Sequence, residues 1–298
     1  MILLALVIGA CAVVLFAAAG SNRDAAEPLA GAEPGAGVWA DGSPAAGEGA
    51  ADASSRSASY GGSFALKPTD SGHFAARVDD PAGGGRKVVQ LTTDESLGDG
   101  HAVRMQLNGA QRLRDGQEVW ILNEFYFGPD FPDLAADGWL SLSSVYGPPG
   151  SGSGPNTLSM RYENGANRFT WIEQPGGRST LWAGQPATRG TWHVVVRHLR
   201  LDSDPDKGFM EIYYGIRGEP LQLQQLSGAA SGQTRRYYAS LQEGVNWNGS
   251  TPNSLNISNY HKDDMPGWEG QIPIYFANPR IFSGGASPES IARYSASH

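Results

Sequence analysis

Beyond residue 61 the chain alternates apolar and polar residues with a period of two, and Gly, Pro, Asn or Asp breaks the alternation about every 8 to 15 residues. Successive side chains of a strand point to opposite faces, so this pattern is that of half-buried strands joined by tight turns. The clearest runs are Lys87 to Thr92, Ala102 to Leu107, Val119 to Phe127, Trp139 to Tyr146, Thr157 to Tyr162, Phe169 to Glu173, Trp192 to Leu201, Phe209 to Tyr214, Ser254 to Tyr260 and Pro273 to Phe282. No 12-residue stretch carries a 3.6-residue period. Asn164-Gly165, Gly176-Gly177 and Asp206-Lys207-Gly208 fall between consecutive runs and supply the positive φ angles that tight connections need. Ten or more strands in roughly 235 residues predict an all-β fold, an antiparallel two-sheet β-sandwich of jelly-roll type.

Alternation also sorts the faces. In the run from Val119, the side chains of Val119, Ile121, Phe125 and Phe127 share one side and are expected in the core, while Trp120, Leu122, Glu124 and Tyr126 share the other, which reads as a binding surface. Arg104 and Gln106 oppose Val103, Met105 and Leu107; Ser159 and Arg161 oppose Leu158, Met160 and Tyr162; Asn256, Ser258 and Tyr260 oppose Leu255 and Ile257. The non-core faces therefore offer hydrogen-bonding groups mixed with flat rings, the combination a sugar chain requires. The expectation is that Arg104, Glu124, Arg161 and Tyr260 lie on one face. Scattering would favour a structural surface domain that recognises a protein.

The front of the chain has a different character. Residues 2–19 are uncharged and apolar and end in small residues, which predicts a signal peptide or an N-terminal membrane anchor over 1–19 and an exported, secreted or cell-surface protein. Residues 20–60 are rich in Ala, Gly, Pro and Ser and carry six acids and two bases, a composition expected of a disordered acidic linker. The folded domain is expected over 61–298. Of 298 residues 40 are Gly and 19 Pro, which disfavours a mostly helical protein, and the net charge of -8 disfavours nucleic acid as a partner. One cysteine, Cys11, excludes an intramolecular disulfide and any multi-cysteine metal site.

The order of motifs resembles a known family. Arg104 precedes a long strand ending Phe127-Gly128-Pro129-Asp130-Phe131-Pro132; the Trp139 strand follows, then Gly190-Thr191-Trp192-His193, and then Asp202 to Tyr213. This order is similar to that of secreted polysaccharide lyases related to heparin lyase I and to alginate and glucuronan lyases, over about Phe64 to Phe282. The resemblance implies a concanavalin A-like jelly roll with a substrate groove, acting on a uronate-containing polysaccharide by β-elimination, as a monomer with no cofactor and no metal. Elimination needs a group that neutralises the uronate carboxylate, a base and an acid. Arg104 matches the groove-strand Arg of such families, and its fork suits a carboxylate. Their Tyr-x-Lys appears as Tyr260-His261-Lys262. The resemblance thus implies Arg104, Tyr260 and His261 as catalytic, with Trp120, Glu124, Arg161, Lys262 and Gln106 lining the groove.

One departure opens a second reading. Where many relatives place Gln-x-His, this chain reads Ser143-Ser144-Val145-Tyr146, so a noncatalytic, lectin-like carbohydrate-binding module on the same fold stands beside the lyase. Asp202, Asp204 and Asp206 look like the start of a calcium loop, but Lys207 stands where the EF-hand needs Gly, so a polar turn is expected. Glu118, Glu124, Glu163, Glu173 and Glu211 are candidates for the paired carboxylates of a glycosidase, yet no Glu-x-Asp-x-x-Glu motif is present.

Overall fold

The computed structural model describes residues 74–94, 116–146, 156–173, 179–201, 207–226, 254–262 and 265–298 except 266 and 284, with further strand segments at 38–41, 51–52, 59–60, 64–67, 102–107 and 236–237. In chain order the strands are β1 (Val38–Asp41), β2 (Ala51–Asp52), β3 (Ser59–Tyr60), β4 (Phe64–Lys67), β5 (Phe74–Asp79), β6 (Lys87–Asp94), β7 (Ala102–Leu107), β8 (Gln117–Phe127) and β9 (Trp139–Tyr146). They continue as β10 (Asn156–Glu163), β11 (Ala166–Glu173), β12 (Ser179–Pro186), β13 (Trp192–Leu201), β14 (Phe209–Ile216), β15 (Gln222–Leu223), β16 (Arg236–Tyr237), β17 (Ser254–His261) and β18 (Gln271–Ser283), before the helix α1 (Pro288–Ser297).

All strand pairings are antiparallel, in two sheets. Among the described residues one sheet has ten strands in the order β15-β14-β13-β8-β18-β6-β5-β2, with β1 beside β18 and β16 beside β14; the other has eight, β12-β11-β10-β9-β17-β7-β4-β3. Strands β6, β7, β8 and β9 fall alternately in the two sheets, the wrapping of a jelly roll. Each run read from the alternation lies inside one of these strands. Asn164 and Gly165, at φ +53° and +79°, close the β10–β11 hairpin as the Asn-Gly pair predicts. The other two expected turns, and the calcium-like Asp202, Asp204 and Asp206, involve residues outside the described set, as do residues 1–19.

The core lies between the sheets. Val119, Ile121, Phe125 and Phe127 of β8 pack with Leu158 and Met160 of β10, Phe169 and Trp171 of β11, and Ile257 of β17, all of them 0% exposed. Burying each such side chain stabilises the fold by about 1.5–3 kcal/mol. A polar seam crosses this core. Arg197 of β13, 0% exposed, donates through Nη2 to Asn123 Oδ1 (3.1 Å) and to Ser143 Oγ (2.6 Å), joining the ten-stranded sheet to the eight-stranded one.

Helix α1 covers the opposite face of the ten-stranded sheet. Ser287 caps it: its hydroxyl accepts from the Ser290 N–H, and the Ser290 hydroxyl accepts from the Ser287 N–H, with Pro288 at the start. Ile291 and Tyr294 pack on Trp120, Leu122, Val194, Val196 and Phe282. Apolar residues on both sides of β8 and β13 are what a doubly covered strand requires. The segment expected to be a linker contributes three short strands, β1 to β3. Along β18, residues 271–276 pair with β6 and residues 280–282 pair with β1. Main-chain groups make that ladder, so a segment poor in aliphatic residues can supply it.

Buried His193 gives the fold a pH dependence. Its Nε2 donates to the Thr188 carbonyl (2.8 Å), so Nδ1 accepts from the Tyr214 hydroxyl (2.8 Å) and the ring is neutral. Burial pushes its pKa from the ordinary 6.5 down to about 4. The unfolded chain therefore binds the proton first, and stability present above pH 6.5 is lost as pH falls toward 4, by about 3 kcal/mol. Denaturant unfolding of wild type and His193→Leu across this window is expected to show a slope that the variant lacks. Parallel curves would refute the assignment.

Candidate functional site

The outward face of the eight-stranded sheet is assembled from rows of residues facing one another across strands. Met160 and Leu158 of β10 point into the core, so Arg161 and Ser159 point out. Arg161 stands opposite Trp139 of β9 on one side and Arg168 of β11 on the other. Ser159 stands opposite Ser141 and Thr170, and Ser141 opposite Tyr260 of β17. The row from Thr170 to Tyr260 crosses three strand gaps, about 14 Å. Its small hydroxyls form a buried floor, with Ser141, Ser159 and Thr170 at 6%, 3% and 0% exposure, while Trp139, Tyr260 and Arg161 stand half-buried around it.

A bulge shapes this floor. The register of β9 against β10 and β17 shifts around Leu142, so Leu142 and Ser143 both turn inward while Ser141 and Ser144 share the outer side, their hydroxyls 3.4 Å apart. Tyr260 meets the Trp139 indole edge-on, with ring centroids 4.9 Å apart and planes at 75°. The Lys262 N–H donates to the Trp139 carbonyl (3.0 Å), and the Lys262 ammonium pairs with Asp137, holding that carboxyl below its usual range. Arg168 is tied down by the carbonyls of Glu163 and Gly184. In contrast, Arg161 Nε and Thr170 Oγ1 are buried with no hydrogen-bond partner among the described residues. Core atoms such as Trp171 Nε1 share this condition and Thr170 is 0% exposed, so of the two it is the half-buried Arg161 whose guanidinium a polar ligand could meet.

The expected site residues divide. Tyr260, Arg161 and Lys262 come together around Trp139. Arg104 and Gln106 occupy the β7 register positions opposite Ser258 and Asn256 of β17, next to Tyr260. His261 does not share their face. It follows Tyr260 on the strand and so points the other way, into the core, where it is 0% exposed, with Nε2 3.1 Å from Thr93 Oγ1 and its ring against Trp268.

Trp120 and Glu124 lie elsewhere, on the outer face of the ten-stranded sheet, so the expectation that Glu124 shares one face with Arg161 and Tyr260 fails, because β8 belongs to the other sheet. Trp120 is 4% exposed, packs beneath α1 and stacks on His198 with ring centroids 3.6 Å apart. Glu124 is 1% exposed and accepts from Arg86 (3.2 Å) and Asn278 (3.1 Å), with Arg217 at 3.8 Å. Arg86 also holds Asp80, whose carboxyl stays below its ordinary value although burial opposes this, because Arg86, the Ala82 N–H and the Trp192 indole all donate to it. Alternation located both residues off the core correctly, but a sandwich has two outer faces, and periodicity does not say which one a strand presents. The reading passed over Trp139 and Thr170, although each begins or sits within a recognised run; what singles them out is their cross-strand neighbours.

No protein-family model matches the chain, and no curated protein does. Solved structures with a similar fold include an endo-β-1,4-glucuronan lyase from the fungus Trichoderma reesei, at 13% identity over 72% of this chain and 88% of that one, with a TM-score of 0.49. A GH131 β-glucanase catalytic domain from Podospora anserina aligns at 14% identity over 72% and 81%, with a TM-score of 0.46. An alginate lyase from Chlorella virus aligns at 12% identity over 70% and 88%, with a TM-score of 0.41. Likeness at this level concerns the sandwich and assigns no activity.

Proposed function

We propose that the outer face of the eight-stranded sheet binds a polysaccharide chain and cleaves it by β-elimination at a uronate residue. The observation that carries this reading is the grouping of a phenol, an indole and a guanidinium with a buried, unpartnered Nε on one face: Tyr260, Trp139 and Arg161. The indole and phenol offer flat surfaces to sugar rings, and the guanidinium pairs with a carboxylate. With the carboxylate neutralised by Arg161 or by Arg104 from the neighbouring strand, the proton at C5 becomes removable. The phenol oxygen of Tyr260 takes that proton, the electron pair forms the C4–C5 double bond as the C4–oxygen bond breaks, and the same oxygen passes the proton to the departing oxygen. Lys262 and Gln106 contact the flanking sugars. Residues 2–19 direct the protein outside the cytoplasm, where such polymers occur.

One observation favours the noncatalytic alternative: His261 is turned into the core against Thr93, and Ser143-Ser144 stands in place of Gln-x-His, so no histidine of the motifs in that resemblance is seen to face the sugar side. Incubation with glucuronan, alginate and heparin, followed by the ultraviolet absorbance of the new double bond, decides between them. The lyase reading expects absorbance to rise with one of these polymers. Glycan binding without any product would establish the lectin-like reading instead.

A further inference from the structure

We propose that His261 is a positioning residue for Tyr260: it anchors the end of β17 to the opposite sheet and thereby fixes where the phenol stands. This rests on the elimination reading above. Tyr260 is the last outward residue of β17, and the inward residues on either side of it both reach across the core. Asn259 donates through Nδ2 to the carbonyls of Leu91 (3.1 Å) and Ile272 (2.7 Å), on β6 and β18. His261 meets Thr93 of β6, two residues beyond Leu91, at 3.1 Å. The contacts with Leu91 and Thr93 each span 168 residues and that with Ile272 spans 13, and all three tie the strand end to the far sheet rather than to its own neighbours.

The hydrogen bonds define what the imidazole can do. Its Nδ1 lies 3.0 Å from the Lys262 carbonyl, an acceptor only, so Nδ1 carries the proton and donates. Nε2 is then the acceptor for the Thr93 hydroxyl. Both nitrogens are thus engaged inside the sandwich, and the ring, 0% exposed against Trp268, faces away from the substrate side. A hydrophobic residue in its place would leave the Thr93 hydroxyl and the Lys262 carbonyl without this partner, and the strand end is also where the register of β17 against β9 shifts. A displacement of about 1 Å at a reacting group can cost about a hundredfold in rate.

The test uses the full chain and the polymer on which wild type gives unsaturated product. His261→Leu is expected to lower kcat at least tenfold with KM nearly unchanged. His261→Gln, whose amide can still bridge acceptor and donor but cannot relay protons at neutral pH, is expected to recover most of the rate and to keep the wild-type pH profile. Thr93→Val, which removes the hydroxyl from the other side of the core, is expected to lower kcat in the same sense and serves if His261→Leu does not fold. Equal loss in His261→Leu and His261→Gln, with one limb of the pH profile gone, would make His261 a catalytic acid or base and overturn the proposal. Full activity in all three variants would overturn it too. If wild type eliminates nothing, the elimination reading fails by itself, and positioning is then read from the Trp139 indole N–H resonance, because that ring rests on Tyr260. A shift in His261→Leu that His261→Gln reverses supports the anchor, and an unmoved resonance refutes it.

Discussion

Replacing Glu124 with alanine is expected to lower the unfolding free energy by about 3–5 kcal/mol, the usual consequence of removing one partner from a buried ionic group. The carboxylate is 1% exposed and is surrounded by Arg86, Arg217 and the Asn278 amide. Its loss leaves two guanidinium groups, whose side chains are only 13% and 22% exposed, sharing Asp80. Arg217 also donates to the Ser295 carbonyl of α1 (2.9 Å), so the helix end is expected to loosen with it. Residual exposure of the arginines lets water reach them and places the effect toward the lower end of the range. Urea unfolding measures the loss directly. Glycan affinity of the folded fraction is expected to stay at the wild-type level, because Glu124 lies on the other sheet from Tyr260. Unchanged stability with lost binding would return Glu124 to the groove and contradict this arrangement.

The second large effect is chemical. Tyr260→Phe is expected to reduce elimination by about 10²–10⁴-fold, equivalent to about 3–5 kcal/mol at the transition state, since in the proposed elimination the phenol both takes and returns the proton. The ring, its edge-on contact with Trp139 and the position of β17 are all retained, so folding stability is expected to change by no more than about 1 kcal/mol. Binding of uncleaved polymer is expected to persist. A variant that still eliminates at the wild-type rate would remove Tyr260 from the chemistry while leaving the face as a binding surface.

Much of the fold was legible because strand alternation is a local property. Each of the ten runs from Lys87 to Phe282 became a strand. α1 escaped because it is only ten residues long and its stop and start signals are short: Ser287, Pro288 and Ser290 announce it, but its apolar side is little more than Ile291 and Tyr294. The apolar character of Leu122, Val194 and Val196 on the supposedly open side of β8 and β13 was the clue that something covers them. It outweighs the presence of Trp120 and Glu124 on the same side, since exposed sheet faces rarely carry so many aliphatic residues. In the candidate site, Tyr260, Arg161 and Lys262 were named from sequence. His261 could share the site with Tyr260 only if the strand ended there; β17 runs on through His261, so alternation sends it into the core.

The sequence by itself determined the strands, the inward or outward sense of most of their residues, and the turn at Asn164-Gly165, because these depend on side-chain periodicity and on φ preferences of single residues. Only the tertiary structure decided which outward faces belong together. Trp120 and Tyr260 are both off the main core, yet one lies under a helix on the ten-stranded sheet and the other beside Trp139 on the eight-stranded sheet. That assignment depends on which strands pair, on the bulge at Leu142 and Ser143, and on the bridges from Arg197 and His261 across the core. Those contacts join residues far apart along the chain, and no local pattern encodes their partners.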